Sequence, residues 1–267
     1  DPGDVILVES PTFVHCVEIF EMFQARCVSV AMDDSGMVPE DLEEKIKRHS
    51  PKMAYLIPTF HNPTGRTLSL ERRERIAGIG SAHDVIILED DPYRDIRYSG
   101  VDLPPIKSFD KTGHTVLASS FSKIFSPGSR LGYVFASDEI SSKLLDAKTA
   151  TNSHTSMLPQ VICAEFFKRG YYPSHHDRIC GLYRERRDVM IDSIDRFFPE
   201  GTERVFPDGG LFTWATLPCG IDTTELLAES LANPDVRVAF VAGEGFFIEG
   251  GGMGRDSMRI SFGSVPP

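Results

Sequence analysis

Short apolar runs recur along the first half of the chain, with longer polar stretches between them. Residues 5–8, 27–30, 53–57, 85–88, 115–118 and 132–136 are such runs, several of them rich in Val and Ile and only weakly alternating. That pattern fits strands buried on both faces. Between them, residues 38–49 and 70–83 carry helical spacing. Ser69 is placed to cap the second helix, with Glu71 in its first turn. Alternating strands and helices predict a largely parallel α/β sheet. Ligands of such sheets bind beyond the carboxyl ends of the strands. Asn62, Asp90 and Ser120 each lie just past a predicted strand.

From about Leu158 the pattern changes. A long helix is predicted over residues 175–198, with Ile179, Leu182, Val189, Met190 and Phe197 on one side and Arg186 interrupting the stripe. Pro199-Glu200-Gly201 ends it. Strand-like runs follow at 211–217, 236–241 and 258–262, with a helix near 224–231. This predicts a smaller α+β unit, so the expected division is a large α/β domain at 1–157 and a small domain at 158–267. Gly250-Gly251-Gly252-Met253-Gly254 reads as a flexible loop. No internal repeat is visible.

Composition narrows the function classes. With 267 residues, 41% hydrophobic and 25% charged, the chain is of ordinary globular type. No apolar stretch is long enough to span a bilayer. The 28 basic residues are outnumbered by 39 acidic ones, a net charge of −11, which argues against nucleic acid as the main partner. Cys16, Cys27, Cys163, Cys180 and Cys219 show neither a CxxC nor zinc spacing, and free thiols in a reducing, cytoplasmic setting are expected. His175 and His176 are adjacent, so on a helix they do not face one site, and no metal is expected.

The chemistry concentrates in Ser119-Ser120-Phe121-Ser122-Lys123-Ile124-Phe125-Ser126-Pro127-Gly128-Ser129-Arg130. Desolvation or a cationic neighbour makes a lysine amine nucleophilic at neutral pH. Hydroxyls and an arginine fork hold a phosphate dianion. Three further segments accompany this run in order: His61-Asn62-Pro63-Thr64-Gly65, Glu89-Asp90-Asp91-Pro92-Tyr93, and Ser257-Met258-Arg259-Ile260-Ser261-Phe262. Singly, they read as a turn, an acidic loop and a salt-bridged strand arginine. Together they point to one site built around a lysine and a phosphorylated cofactor.

These segments, with Gly209-Gly210-Leu211-Phe212-Thr213-Trp214, resemble the class I/II aminotransferases of fold type I that depend on pyridoxal 5′-phosphate (PLP). The resemblance is strongest to the aminoadipate/kynurenine and aromatic branch and runs along nearly the whole chain. It departs from the family at both ends, which implies that a substrate-covering N-terminal arm, a phosphate-binding helix turn and C-terminal helices are missing. It implies Lys123 as nucleophile and proton shuttle. Asp90 would pair with the pyridine nitrogen, with Asp91 its competitor. Tyr93 and Asn62 would donate to the cofactor's phenolic oxygen, and the Asn62–Pro63 bond would be cis. Ser120, Ser122 and Arg130 would bind the phosphate, although Ser122 could equally cap a turn. Phe13 would stack on the ring or simply fill the core. Arg259 would grip the substrate carboxylate, which Asn62 also approaches. The expected activity is transfer of an amino group from an aromatic, aminoadipate or kynurenine-like L-amino acid to a 2-oxo acid, in a homodimer when complete. A PLP-dependent C–S lyase or synthase, and the PLP-binding sensor domain of a transcription regulator, are the alternatives.

Overall fold

The computed structural model describes residues 1–218, 220–236 and 238–264. The first half contains β1 (Val5–Ser10), α1 (Val14–Met22), β2 (Arg26–Asp33), β3 (Gly36–Met37), α2 (Pro39–His49), β4 (Met53–Leu56), α3 (Leu70–His83), β5 (Ile86–Asp90), β6 (Thr115–Ser120) and β7 (Gly132–Phe135). These strands form one seven-stranded sheet in the order β3-β2-β1-β4-β5-β6-β7. The five central strands run parallel, and the edge strands β3 and β7 are antiparallel to their neighbours. The second half adds α4 (Asp138–Asn152), α5 (Met157–Lys168), α6 (Tyr172–Phe197), β8 (Glu203–Arg204), β9 (Phe212–Thr216), α7 (Thr223–Ala232), β10 (Val241–Ala242) and β11 (Ser257–Ser261). Its strands make a four-stranded antiparallel sheet, β10-β11-β9-β8.

Strand alternation gives the large sheet two buried faces. Leu7, Ala54, Leu56 and Ile87 point to one face, where they meet Leu42 and Ile46 of α2 and Ile76 and Ala77 of α3. Ile6, Val8 and Tyr55 point to the other, where Phe13, Phe20, Tyr93 and Phe212 pack. Each fully buried Leu or Ile contributes roughly 1.5–3 kcal/mol of transfer free energy. This two-sided burial is why the strands read as continuous apolar runs.

Several elements differ from the sequence expectation. The stripe along α6 is rotated: Cys180, Arg187, Ile191 and Ile194 are buried, whereas Leu182, Val189 and Phe197 are exposed. Arg187 decides this rotation, since its Nη1 donates to the Pro207 carbonyl at 2.9 Å and its guanidinium stacks 4.5 Å from the Phe206 ring. A strand over 236–241 is not formed. Val236 lies in a turn, Arg237 lies outside the described residues, and only Val241 and Ala242 pair. The Asn233 side chain holds that turn by accepting from the Asp235 N–H at 2.9 Å. The Gly250–Gly254 segment is a turn-rich loop, as expected. Cys16, Cys27, Cys163 and Cys180 are free thiols, and Cys219 lies outside the described residues. No helix among the described residues is long and apolar enough to cross a membrane.

Ser69 caps α3 as expected, its hydroxyl accepting from the Arg72 N–H. Arg73 in the next position is fully buried and donates to the Leu68 and Pro58 carbonyls and the Thr59 hydroxyl. It thereby fixes α3 to the segment that leads into His61 and Asn62. Replacing Ser69→Ala is expected to cost about 1 kcal/mol in urea unfolding, with no change in the denaturant slope.

Candidate active site

The site lies beyond the carboxyl ends of β4, β5 and β6. Alternation sorts the three carboxylates at the end of β5. Tyr55 pairs with Leu88 across β4 and β5, so Asp90, two residues on, shares the Tyr55 face. Glu89 takes the opposite face and accepts the Ile106 and Lys107 backbone N–H groups at 2.8 and 2.9 Å. Asp91, just past the strand, is fully buried with Arg94 Nη1 at 3.5 Å from Oδ2. The Arg73 charge also acts on both Glu89 and Asp91. Asp91 is therefore structural in its contacts, and Asp90 is the carboxylate on the face of Tyr55, Tyr93 and Phe13.

Asp90 accepts one side-chain hydrogen bond, from Tyr55 Oη at 2.9 Å. No cation pairs with it among the described residues. Burial pushes its pKa up, the Tyr55 hydrogen bond opposes this, and the Glu9 charge adds to the rise. A half-buried carboxylate with no cationic partner still carries a desolvation cost. Its environment fits a protonated ring nitrogen.

Tyr93 is buried beside it, and desolvation raises its pKa to about 12, with the Asp90 charge adding to the shift. The Tyr93 ring meets Phe212 edge-on at 5.8 Å. Lys123 Nζ stands 5.6 Å from the Tyr93 ring centroid. Desolvation lowers the Lys123 pKa, and the Arg130 charge lowers it further. Both effects favour the neutral, nucleophilic amine.

Asn62 and Arg259 meet. Arg259 Nη1 donates to Asn62 Oδ1 at 2.8 Å, joining residues 197 apart in sequence. The Asn62 NH₂ is then the group that faces the Tyr93 oxygen, and its hydrogen bond works against the rise of the Tyr93 pKa. The Arg259 guanidinium sits between Phe212 and Phe246, 4.5 and 5.2 Å from their centroids, and its Nε is buried without a partner. Such an arginine is poised to accept a carboxylate. The Asn62–Pro63 bond is cis.

Ser120 and Ser122 hydroxyls are 2.8 Å apart, and Ser120 Oγ also accepts the Ser122 N–H at 3.0 Å. Arg130 is exposed, in the left-handed region at φ 51°, with Nη1 3.4 Å from the Pro127 carbonyl. Ser120 at the end of β6, with Ser122 and Arg130 on the segment that follows, flank Lys123 along the chain. Phe13 is half-buried, edge-on to His15 at 5.3 Å, and packs in the cluster that holds Tyr55 and Tyr93.

Three residues received no role in the motif reading, although His61 opens one of the motif segments. Tyr55 sits mid-strand, and Glu9 and His61 are both 1% exposed. Glu9 Oε2 accepts the Ile57 N–H at 2.8 Å and lies 3.1 Å from His61 Nε2, while His61 Nδ1 is 2.9 Å from Thr64 Oγ1. This pair ties the end of β1 to the turn that carries Asn62. Its only sequence signal is a charged residue at the end of an apolar strand.

The match to the family model for aminotransferase class I and II runs over residues 1–266. The chain belongs to the class I and II aminotransferases. It is 39% identical to an aromatic-amino-acid aminotransferase of Thermococcus litoralis, over 100% of this chain and 64% of that protein. Among solved structures, a Pyrococcus horikoshii kynurenine aminotransferase in complex with PMP superposes with a TM-score of 0.93 at 36% identity, over 99% of this chain and 66% of that one. An α-aminoadipate aminotransferase of Thermus thermophilus, complexed with N-(5′-phosphopyridoxyl)-L-leucine, gives 0.90 at 32% identity, over 99% of this chain and 67% of that one. The chain thus spans about two thirds of the length of these relatives. The fold of this aminotransferase-family chain is that of the fold type I PLP-dependent transferases.

Two outcomes follow from the packing around the site. An added Cβ at Gly209 would run into the Ile96 carbonyl and the Phe60 ring. Gly209→Ala is therefore expected to destabilise the protein by about 2 kcal/mol or more in denaturant unfolding. Burial raises the Asp91 pKa from 3.8 to about 7. A carboxylate raised on folding gives stability that is present below its unfolded pKa and lost as pH rises through the folded value. Between pH 4 and 7, roughly, the stability of Asp91→Asn relative to the parent should therefore rise with pH. Urea midpoints measured across that range check the sign.

Proposed function

We propose that the complete protein is a PLP-dependent aminotransferase acting on an L-amino acid and a 2-oxo acid. One observation carries the reading: a half-buried carboxylate, Asp90, has no cationic partner among the described residues, on the face where a partly desolvated lysine stands over Tyr93. Bound PLP supplies an electron sink that stabilises negative charge at the substrate Cα.

Lys123 is read as the nucleophile that holds the cofactor and as the base that moves the Cα proton. Its lowered pKa suits both tasks. Asp90 keeps a proton on the cofactor's ring nitrogen by countercharge. Tyr93 and the Asn62 NH₂ beside it would donate to the phenolic oxygen. Ser120 and Ser122 present two adjacent hydroxyls to the phosphate, and Arg130 supplies the countercharge. Phe13 would cover one side of the ring.

Arg259 binds the substrate α-carboxylate with a planar fork, and its contact with Asn62 sets the orientation of that fork. Truncated access to water on the Phe212 and Phe246 sides strengthens the pairing. An amino-acid carboxylate is favoured over a simple amine because no acid among the described residues pairs with the Arg259 cation.

The names of the relatives support an aromatic, aminoadipate or kynurenine-like donor. We read residues 1–157 as the cofactor-binding domain and 158–267 as the small domain, in a cytoplasmic homodimer. Free cysteines fit a reducing compartment.

The test uses the full-length protein with PLP and a panel of amino acids. The parent should show a visible, borohydride-reducible cofactor band that amino acid bleaches, and should form oxo acid. Lys123→Ala should show neither. Arg259→Gln should raise KM for the amino acid about a hundredfold, the loss of a charge-assisted pair, while keeping the band. Absence of the band in the parent, or its persistence in Lys123→Ala, would sink the assignment.

A further inference from the structure

The one side-chain hydrogen bond that Asp90 receives comes from a residue outside the motifs. Tyr55 Oη donates to Asp90 Oδ2 at 2.9 Å, and Tyr55 is 1% exposed. The strand register places it there. Tyr55 stands opposite Leu88 on the neighbouring strand, and Asp90 is the next residue along that strand on the same face. A diagonal reach of this kind is within the span of an aromatic side chain. The ring is held edge-on by Phe20, with centroids 5.8 Å apart and planes at 74°. The hydroxyl thus has a fixed position.

The titratable groups that face Asp90 come from four elements. Tyr55 on β4 and Glu9 on β1 act on it, and its own charge raises the pKa of Cys16 on α1 and of Tyr93 on the loop after β5. Of these, Glu9 and burial favour the protonated acid, and the Tyr55 hydrogen bond favours the carboxylate. Burial and the Asp90 charge hold the Tyr55 phenol well above its ordinary pKa, so it stays a donor.

Resting on the aminotransferase reading, we propose that Tyr55 is a positioning residue for Asp90. Its hydroxyl pins Oδ2, leaves Oδ1 for the cofactor ring nitrogen, and weakens the basicity of the carboxylate. The shared proton therefore rests on the ring nitrogen rather than on Asp90. Removing the hydroxyl makes the carboxylate the better base and draws the proton to it.

The experiment compares the full-length parent with Tyr55→Phe, Asp90→Asn and the double variant, each loaded with PLP labelled with ¹⁵N in the pyridine ring. The ring ¹⁵N resonance, the PLP Kd and the thermal unfolding midpoint without PLP are recorded. Tyr55→Phe should move the resonance toward that of a neutral pyridine and raise Kd about tenfold, the worth of one hydrogen bond to a charged group. The same change in the Asp90→Asn background should alter neither. An unmoved resonance in Tyr55→Phe overturns the proposal. So does an equal effect in the Asp90→Asn background, or a Tyr55→Phe chain that fails to fold where Asp90→Asn folds, since the role would then be structural. If the parent itself binds no PLP, the aminotransferase reading fails instead.

Discussion

Three consecutive carboxylates at the end of one buried strand form the constraint on which this site depends. Burying an acid without compensation raises its pKa or unfolds its surroundings. Glu89 accepts two backbone N–H groups, and Asp91 has Arg94 at 3.5 Å with the Arg73 charge nearby, yet burial still raises the pKa of both, that of Asp91 to about 7. Among the described residues, Asp90 has the Tyr55 phenol and no cation. Strand alternation enforces this difference, since it sends Asp90 to the face opposite Glu89. The acid left without a cation is thus on the face that carries Tyr93 and Phe13.

The surrounding structure serves to keep that arrangement in register. Arg73, fully buried on α3, holds the segment before the Asn62 turn, and the Glu9–His61 pair holds the turn from the end of β1. The small sheet closes the site from the other side. Gly209 and Gly210 let the chain entering β9 pass against Phe60, and the short contact from Tyr98 Oη to the Gly210 carbonyl fixes that crossing. Arg259 then reaches Asn62 from β11.

Legibility varied with how directly a residue type reports its surroundings. The central strands were readable because two-sided burial writes a continuous apolar run. The cap of α3 was readable because Ser69 is a local hydrogen-bond acceptor at the right place. The helix α1 was not, since it is nine residues long and has no side-chain cap. The helix α4 buries none of its residues, so no apolar stripe marks it. The face of α6 was misread because Arg187 is buried through its carbonyl and aromatic contacts. Hydrophobicity alone places an arginine outside. The strand expected near Val236 failed because a β-branched residue favours extension but does not supply a neighbouring strand to pair with.

By itself, the sequence determined the parallel sheet, the order of the motif segments, and the residue types needed for a lysine-centred cofactor site. These follow from local signals: periodicity, turn residues, and charged groups at strand ends. The tertiary structure decided which of Asp90 and Asp91 faces the site, that Tyr55 holds the former, and that Arg259 reaches Asn62. Each of these depends on strand register or on a contact between distant segments. A side chain's partner across such a distance is set by how the layers pack, and no local pattern encodes it.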